Sequence, residues 1–394
     1  MMRSPATVRL GLADSLDPTD VQAGSGATGS LLRALEGLVS EAVPLNAELP
    51  RAVGRAAHLA SAAARVRPGD FPDLAAAVKR SHAAAKLGRP TMAARWLTTR
   101  VRLAQAGRLD GIIQRGCELR LPGHRRIVTF EDSTVLQARR SYPWEHLEGL
   151  ADRDIERYAA RQRAIYNSAV ACCCATHWMA ESVIEDYGVP PERVFVIGFG
   201  PNHQSAAPEP RDWSTPRYLF VGVDWKRKNG AAILAAFARL REHIPEAELD
   251  VVGEHPPIDQ AGVRAHGRLS LARGEDRERM AGLYRRATAF VMPSLHEPAG
   301  LVYIEAAGQG LASIGTTDGG AATMIGPGGV VVDPRDPQRI LEAMLTLADP
   351  HTAQRLGDLA HRHSMLLTWP KVAERLLRAL AIPSVDVSGL ADFL

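Results

Sequence analysis

At 394 residues, with 46% hydrophobic and 23% charged residues, the chain is too long for one ordinary core and too apolar to be disordered, so two or three domains are expected. No run approaches the roughly 18 consecutive apolar residues needed to span a bilayer, and the opening MMRSPATVRLGLADSL lacks the apolar stretch of a secretion signal, so a cytoplasmic protein is expected. Net charge is only +3, but Arg51 to Arg126 holds 16 Lys and Arg against four Asp and Glu. Such a face attracts a phosphate-bearing acceptor or the inner membrane surface, or it is a solvated helix surface. The scarcity of interleaved aromatics argues against nucleic acid.

In chain order, Val8–Ala13 reads as a strand, followed by the glycine-containing loop DSLDPTDVQAGSGATGS and a periodic helix, LLRALEGLV. Helical periodicity continues at Ala52–Ala64, Leu74–Lys86 and Met92–Leu103. Gly111–Ile113, Ile127–Phe130, Ala169–Cys174 and Val194–Ile197 read as strands separated by helices, which favours a parallel sheet covered on both faces. Cys172, Cys173 and Cys174 are adjacent, so their side chains alternate between faces of a strand; small buried hydrophobes suit them better than a metal site, as for Cys117. The Pro-rich stretch Gly200–Pro216 reads as a linker.

The alternation then restarts with strand Tyr218–Val221, loop GVDWKRKNG, helix AAILAAFARLREHI and strand Leu249–Val252. A helix over Glu275–Arg286, strands AFVM, ASIGT and VVV, and helices Pro337–Leu347, His351–His363 and Lys371–Ala381 complete the chain. The expected organisation is a Rossmann-like acceptor domain over 1–205, a Rossmann-like nucleotide-sugar domain over 206–370, and a C-terminal helix and tail, 371–394, packed on the first domain. Two such lobes facing across a cleft would place the site between them.

Within LYRRATAFVMPSLHEPAGLVYIEAAGQGLASIGTTDGG, Glu297 follows a buried strand, Pro298 suits a first helical turn, and Gly300 permits close backbone approach. Amides at such a helix start make an anion site. Glu305 lies about two turns further on, and a carboxylate can accept hydrogen bonds from vicinal hydroxyls. The earlier loop GVDWKRKNG offers Arg227 and Lys228 to a diphosphate. Gly24, Ser25 and Gly26 form a glycine turn after the first strand, also suited to phosphate. Asp132 follows the strand IVTF and reads either as a group facing the site or, with Ser133, as a helix cap; His177 reads as a partly buried helix-start residue.

Glu297 and Glu305, spaced as Glu-x7-Glu after MPS and before a later GG, resemble the retaining GT-B glycosyltransferases of family 4 (glycosyl transferases group 1). The resemblance is strongest over Tyr218–Ala381. It implies a fold of two Rossmann-like domains, a nucleoside-diphosphate sugar donor, transfer with retention, and no metal or other cofactor. Glu297 would contact the donor sugar and Glu305 the ribose; Gly222 and Lys228 match the spacing of the diphosphate loop, with Arg227 standing in for an arginine that the family often has at the position of Val223. Gly253, Arg268 and Leu269 resemble the base-contacting turns, and Ala299, Gly300 and Leu301 the donor-side helix start, with Gly24 and Gly26 the first loop. A catalytic or acceptor role near Asp132 belongs to the same resemblance. Ala299 replaces a frequent Phe and Thr323 a frequent Glu, which leaves the sugar open. The acceptor is expected to be a glycan, a lipid-linked precursor or a small molecule. A nucleotide-sugar epimerase on the same fold and a non-catalytic nucleotide-sugar-binding protein remain alternatives. A dinucleotide oxidoreductase does not, because the first loop lacks the Gly-x-Gly-x-x-Gly fingerprint.

Overall fold

Short apolar runs bounded by glycine and proline form strands here, and the amphipathic segments between them form the helices that cover both faces. The computed structural model describes residues 8–15, 17–19, 26–46, 48–63, 85, 87–117, 119–121, 126–141, 147, 150–202, 208–270, 272–383 and 385–394. The expected helix over Leu74–Lys86 lies outside these residues except for Ala85, and Gly24 and Ser25 lie outside them.

The chain divides into two compact units, Met1–Ile197 with Trp369–Leu394, and Gly198–Thr368. The first holds a six-stranded sheet of β1 (Arg9–Asp14), β2 (Glu41–Asn46), β3 (Gly111–Gln114), β4 (Ile127–Glu131), β5 (Ala171–Cys174) and β6 (Val194–Val196). Their spatial order is β2-β1-β3-β4-β5-β6, and every pairing is parallel. The second holds β7 (Arg217–Val221), β8 (Glu248–Val252), β9 (Val263–Gly267), β10 (Ala289–Val291), β11 (Ala312–Thr316) and β12 (Gly329–Val332). These lie in the order β12-β11-β10-β7-β8-β9, again all parallel.

The inner strands are buried on both faces, as crossover helices require. All four residues of β5 are buried, and Cys117, Cys172, Cys173 and Cys174 are buried thiols in the core. Burial pushes the Cys172 thiol up to about 11 and the next two well above the usual value, so they remain protonated packing groups.

The first compact unit runs to Ile197, whose amide continues the ladder to the Cys174 carbonyl at 2.9 Å. The end of the Pro-rich stretch, 208–216, is tied to the rest of the second unit. Half-buried Arg211 donates to the carbonyls of Tyr284, Arg285, Gln309 and Gly310, the open C-terminal ends of two helices. Burial pulls its guanidinium down to about 10. The last helix, Trp369–Leu380, belongs to the first unit. Its Arg375 is buried and donates to the carbonyls of Ile197 and Asp392, and Phe393 stacks on Phe195 with centroids 4.3 Å apart.

Candidate functional site

In the second sheet the chain runs from β7 outward to β8 and β9, then returns to place β10 on the other side of β7. Ligands of open parallel sheets bind outside the carboxyl ends of strands at such a reversal. Lys228 comes from the turn after β7 and Glu297 from the loop after β10. Lys228 Nζ donates to Glu297 Oε2, with side chains only 11% and 8% exposed. Arg227 Nη1 lies 3.5 Å from the same oxygen and donates to the His296 carbonyl at 3.1 Å.

Local chemistry shapes the turn. The Asp224 carbonyl accepts from the Lys228 amide at 2.9 Å, and Asp224 Oδ1 accepts from the Arg227 amide at 3.0 Å. Asn229 then takes a left-handed conformation, φ 62°, which asparagine tolerates better than most residues. Its Nδ2 donates to the carbonyls of Pro293 and Pro334 at 3.1 and 2.7 Å, tying the turn to the loops after β10 and β12.

On the other side, the Glu297 amide donates to the Asp318 carbonyl at 3.0 Å and the Gly320 amide to the Glu297 carbonyl at 2.8 Å. Gly319, at φ 118°, must be glycine, since a Cβ there would sit 2.1 Å from the Glu297 carbonyl oxygen. Buried His296 places Nδ1 3.1 Å from Asp318 Oδ1, and Arg335 binds the other Asp318 oxygen at 3.0 Å.

Burial alone would push the Glu297 carboxyl up, but Lys228 and Arg227 together hold it below its ordinary value. Burial lowers the Lys228 ammonium, and Glu297 opposes that shift. The cluster is thus two cations converging on one buried carboxylate, with Asp224 3.5 Å from Arg227 at the surface. Beside it, helix Leu301–Gly308 starts at Gly300, which has φ 86° and no side-chain cap. Its first amides face outward from the helix start, as an anion site requires. Ala299 is buried and Leu301 is the first helical residue.

Glu305 lies further along this helix, in other company. It accepts from the Tyr284 hydroxyl at 3.5 Å and from the backbone of Asn202, and burial raises its carboxyl to about 7. A carboxyl raised on folding holds its proton more tightly when folded, so stability falls as pH rises from its ordinary 4.5 to about 7 and is flat above. Glu305→Gln is therefore expected to stabilise the unliganded protein by ~1–3 kcal/mol at pH 8 and to change it little at pH 4. Thermal unfolding at the two pH values checks this; equal effects at both would show that Glu305 titrates normally.

Gly222, Gly253 and Gly267 end or follow β7, β8 and β9. The Gly222 amide donates to the Val252 carbonyl at 2.9 Å, and the Gly253 amide to the Gly267 carbonyl at 2.9 Å. Gly253 has φ 122°, and a Cβ on it would lie 1.7 Å from the Gly222 carbonyl oxygen. Gly253→Ala is expected to cost ~1–3 kcal/mol through strain, read as a lower urea midpoint, because the turn that carries Lys228 must shift. Arg268 is exposed and pairs with Glu254 at 3.0 Å; half-buried Leu269 follows it.

The remaining expected site residues belong to the first unit. Gly26, at φ 81°, precedes helix Ala27–Glu36. Asp132 follows β4 and accepts from Ser133 Oγ at 3.1 Å. The cap of the next helix is instead Thr134, which exchanges hydrogen bonds with Gln137 at 3.2 Å in each direction. His177 is exposed, not partly buried, because it opens a helix capped by Thr176.

Sequence reading missed three groups. Asn229 had a local signal, Asn-Gly after the paired cations; His296 and Asp318 had none beyond their place in loops. In the first sheet the strand order reverses between β1 and β3. There Thr28 donates to Asp14 Oδ2 and Arg115 Nη1 donates to Thr28 Oγ1, both at 2.6 Å, while the guanidinium lies 5.5 Å from the Phe130 ring centroid.

Comparison with known proteins bears on the fold. Residues 215–349 match the family described as glycosyl transferases group 1. The chain is 26% identical over 216 residues to sucrose-phosphate synthase of Spinacia oleracea, covering 46% of this chain and 20% of that protein. It is 25% identical over 256 residues to D-inositol 3-phosphate glycosyltransferase of Corynebacterium efficiens, covering 57% and 60%. The matches thus span less than two thirds of either relative. The solved structure of sucrose-phosphate synthase from Thermosynechococcus elongatus superposes with a TM-score of 0.63 at 18% identity, over 94% of this chain and 98% of that one. The chain therefore has the GT-B fold, and within its second unit residues 215–349 are similar to the glycosyl transferases group 1 family.

Proposed function

We propose that the protein transfers a sugar from a nucleoside-diphosphate sugar to an acceptor hydroxyl with retention at the anomeric carbon. The observation that carries this reading is the buried cluster of Arg227, Lys228 and Glu297 beside the uncapped helix start at Gly300. As the bond from the anomeric carbon to the phosphate oxygen breaks, negative charge grows on the departing diphosphate. Arg227, Lys228 and the helix-start amides are preorganised to receive that charge, so no metal is required. The acceptor oxygen bonds to the anomeric carbon from the same face, and its proton passes to the leaving phosphate oxygen. Glu297 holds the donor sugar and Glu305 the ribose hydroxyls.

The two curated relatives carry a phosphorylated small molecule in their names. We extend this to the acceptor class: a phosphorylated hydroxyl compound. A glycan or a lipid-linked precursor is the other acceptor class to be compared.

The test begins with thermal shift against UDP-, GDP-, ADP- and dTDP-sugars, since a ligand of the native state raises its apparent stability. The stabilising donor is then incubated with phosphorylated acceptors and their dephosphorylated counterparts, in chelator. A product whose anomeric configuration matches the donor supports the proposal. Inverted product overturns retention, and transfer abolished by chelator overturns the metal-free route. An epimer formed without acceptor would make the protein an epimerase; binding without turnover on any acceptor would make it a binding protein.

A further inference from the structure

Helices Arg51–Ala63 and Arg89–Ala106 lie together on the first unit, joined by a hydrogen bond between Ser61 Oγ and Thr91 Oγ1 at 3.0 Å. Their polarity is inverted relative to an ordinary surface helix. In the second helix Thr91, Thr99 and Leu103 point inward, while Ala93, Trp96, Leu97, Val101 and Ala104 recur at helical spacing on the exposed side. In the first, Gly54 and Ser61 are buried and Val53 and Leu59 are exposed. Leu59 and Leu97 are 63% and 59% exposed, values at which a large apolar side chain stays wet unless something covers it.

Charge says what covers it. The two helices together carry six Arg and no Asp or Glu. Arg100 lies over the Trp96 ring, 5.4 Å from its centroid, so an apolar body and a cationic head share one site. A second copy would bring six more Arg against these, and like charges opposed across an interface are costly. Apolar side chains with Trp, ringed by Arg, fit the headgroup boundary of an anionic bilayer.

We propose that this helix pair docks the protein on an anionic lipid surface through Val53, Leu59, Trp96, Leu97 and Val101, with the arginines held at headgroup level. The inference does not depend on the transferase reading, because it rests on residues that reading does not use and is measured without substrate.

The experiment is cosedimentation of the full chain with vesicles of phosphatidylcholine alone or mixed with phosphatidylglycerol. The wild type is expected to sediment with the mixed vesicles, less so as salt is raised, and not with the neutral ones. Leu59→Ser/Leu97→Ser and Arg51→Glu/Arg55→Glu should each lower the partition coefficient about tenfold or more, with an unchanged circular dichroism spectrum because all four side chains are exposed. Equal binding to neutral vesicles, no binding to either, or unchanged binding by both folded variants overturns the proposal. So does a concentration-dependent dimer that Leu59→Ser/Leu97→Ser dissolves, which would give the face to a second copy.

Discussion

Glu297→Ala is expected to lower kcat/KM by about 100- to 1000-fold, the scale of losing one preorganised polar group at a reacting centre, while free nucleoside diphosphate still binds. The side chain is 8% exposed and receives Lys228 and, at 3.5 Å, Arg227. On the proposed mechanism, removing it takes away the sugar contact but leaves both cations. Those cations, with no buried carboxylate to neutralise them, should bind a diphosphate at least as tightly as before. Transfer and nucleotide affinity therefore move apart, and calorimetry with the free diphosphate reads the difference. Loss of the nucleotide together with activity would mean that Glu297 holds the turn in place rather than the sugar. Glu297→Gln keeps the shape without the charge, so its nucleotide affinity should likewise be at least that of wild type.

Much of the fold was legible because parallel strands with both faces covered leave nearly continuous apolar runs. Tyr218–Val221 and Leu249–Val252 are such runs, and they stand within a residue of β7 and β8. The strands that sequence reading missed are both at sheet edges. β2 contains Pro44, which only an edge strand tolerates, and β9 is half exposed along its length. Glu297, Glu305, Arg227 and Lys228 were visible as charged residues in loops or helix starts after strands. Their grouping was not: the pairing of β7 with β10 brings Lys228 to Glu297 across 69 residues, whereas Glu305, only eight residues from Glu297, turns to Tyr284. The Asp14–Thr28–Arg115 set was hidden for the same reason, since Arg115 reaches Thr28 across 87 residues through the β1–β3 pairing.

Lys228→Ala should lower kcat/KM about 10- to 100-fold, by loss of the charge-assisted contact to the diphosphate that the proposed mechanism gives it, and should also destabilise the protein in a pH-dependent way. Breaking a buried pair strands the remaining charge at a cost of about 3–5 kcal/mol, and Arg227, 3.5 Å away, keeps the loss near the lower figure. The sign with pH follows from Glu297. In the wild type its carboxyl is held below the ordinary 4.5, so the stability it contributes is present above that value and is lost as pH falls through the depressed one. Without Lys228, burial, which acts to raise the carboxyl, meets less opposition. The deficit of the variant should therefore be smallest in acid, where Glu297 is protonated in both proteins, and should widen toward neutral pH. Urea unfolding across that range measures it. In Lys228→Ala/Glu297→Ala, with no carboxylate left to strand, that widening should vanish and part of the stability should return. A deficit that is the same at every pH, or that persists unchanged in the double variant, would mean that Lys228 contributes through packing alone and that the pair does not act as an electrostatic unit.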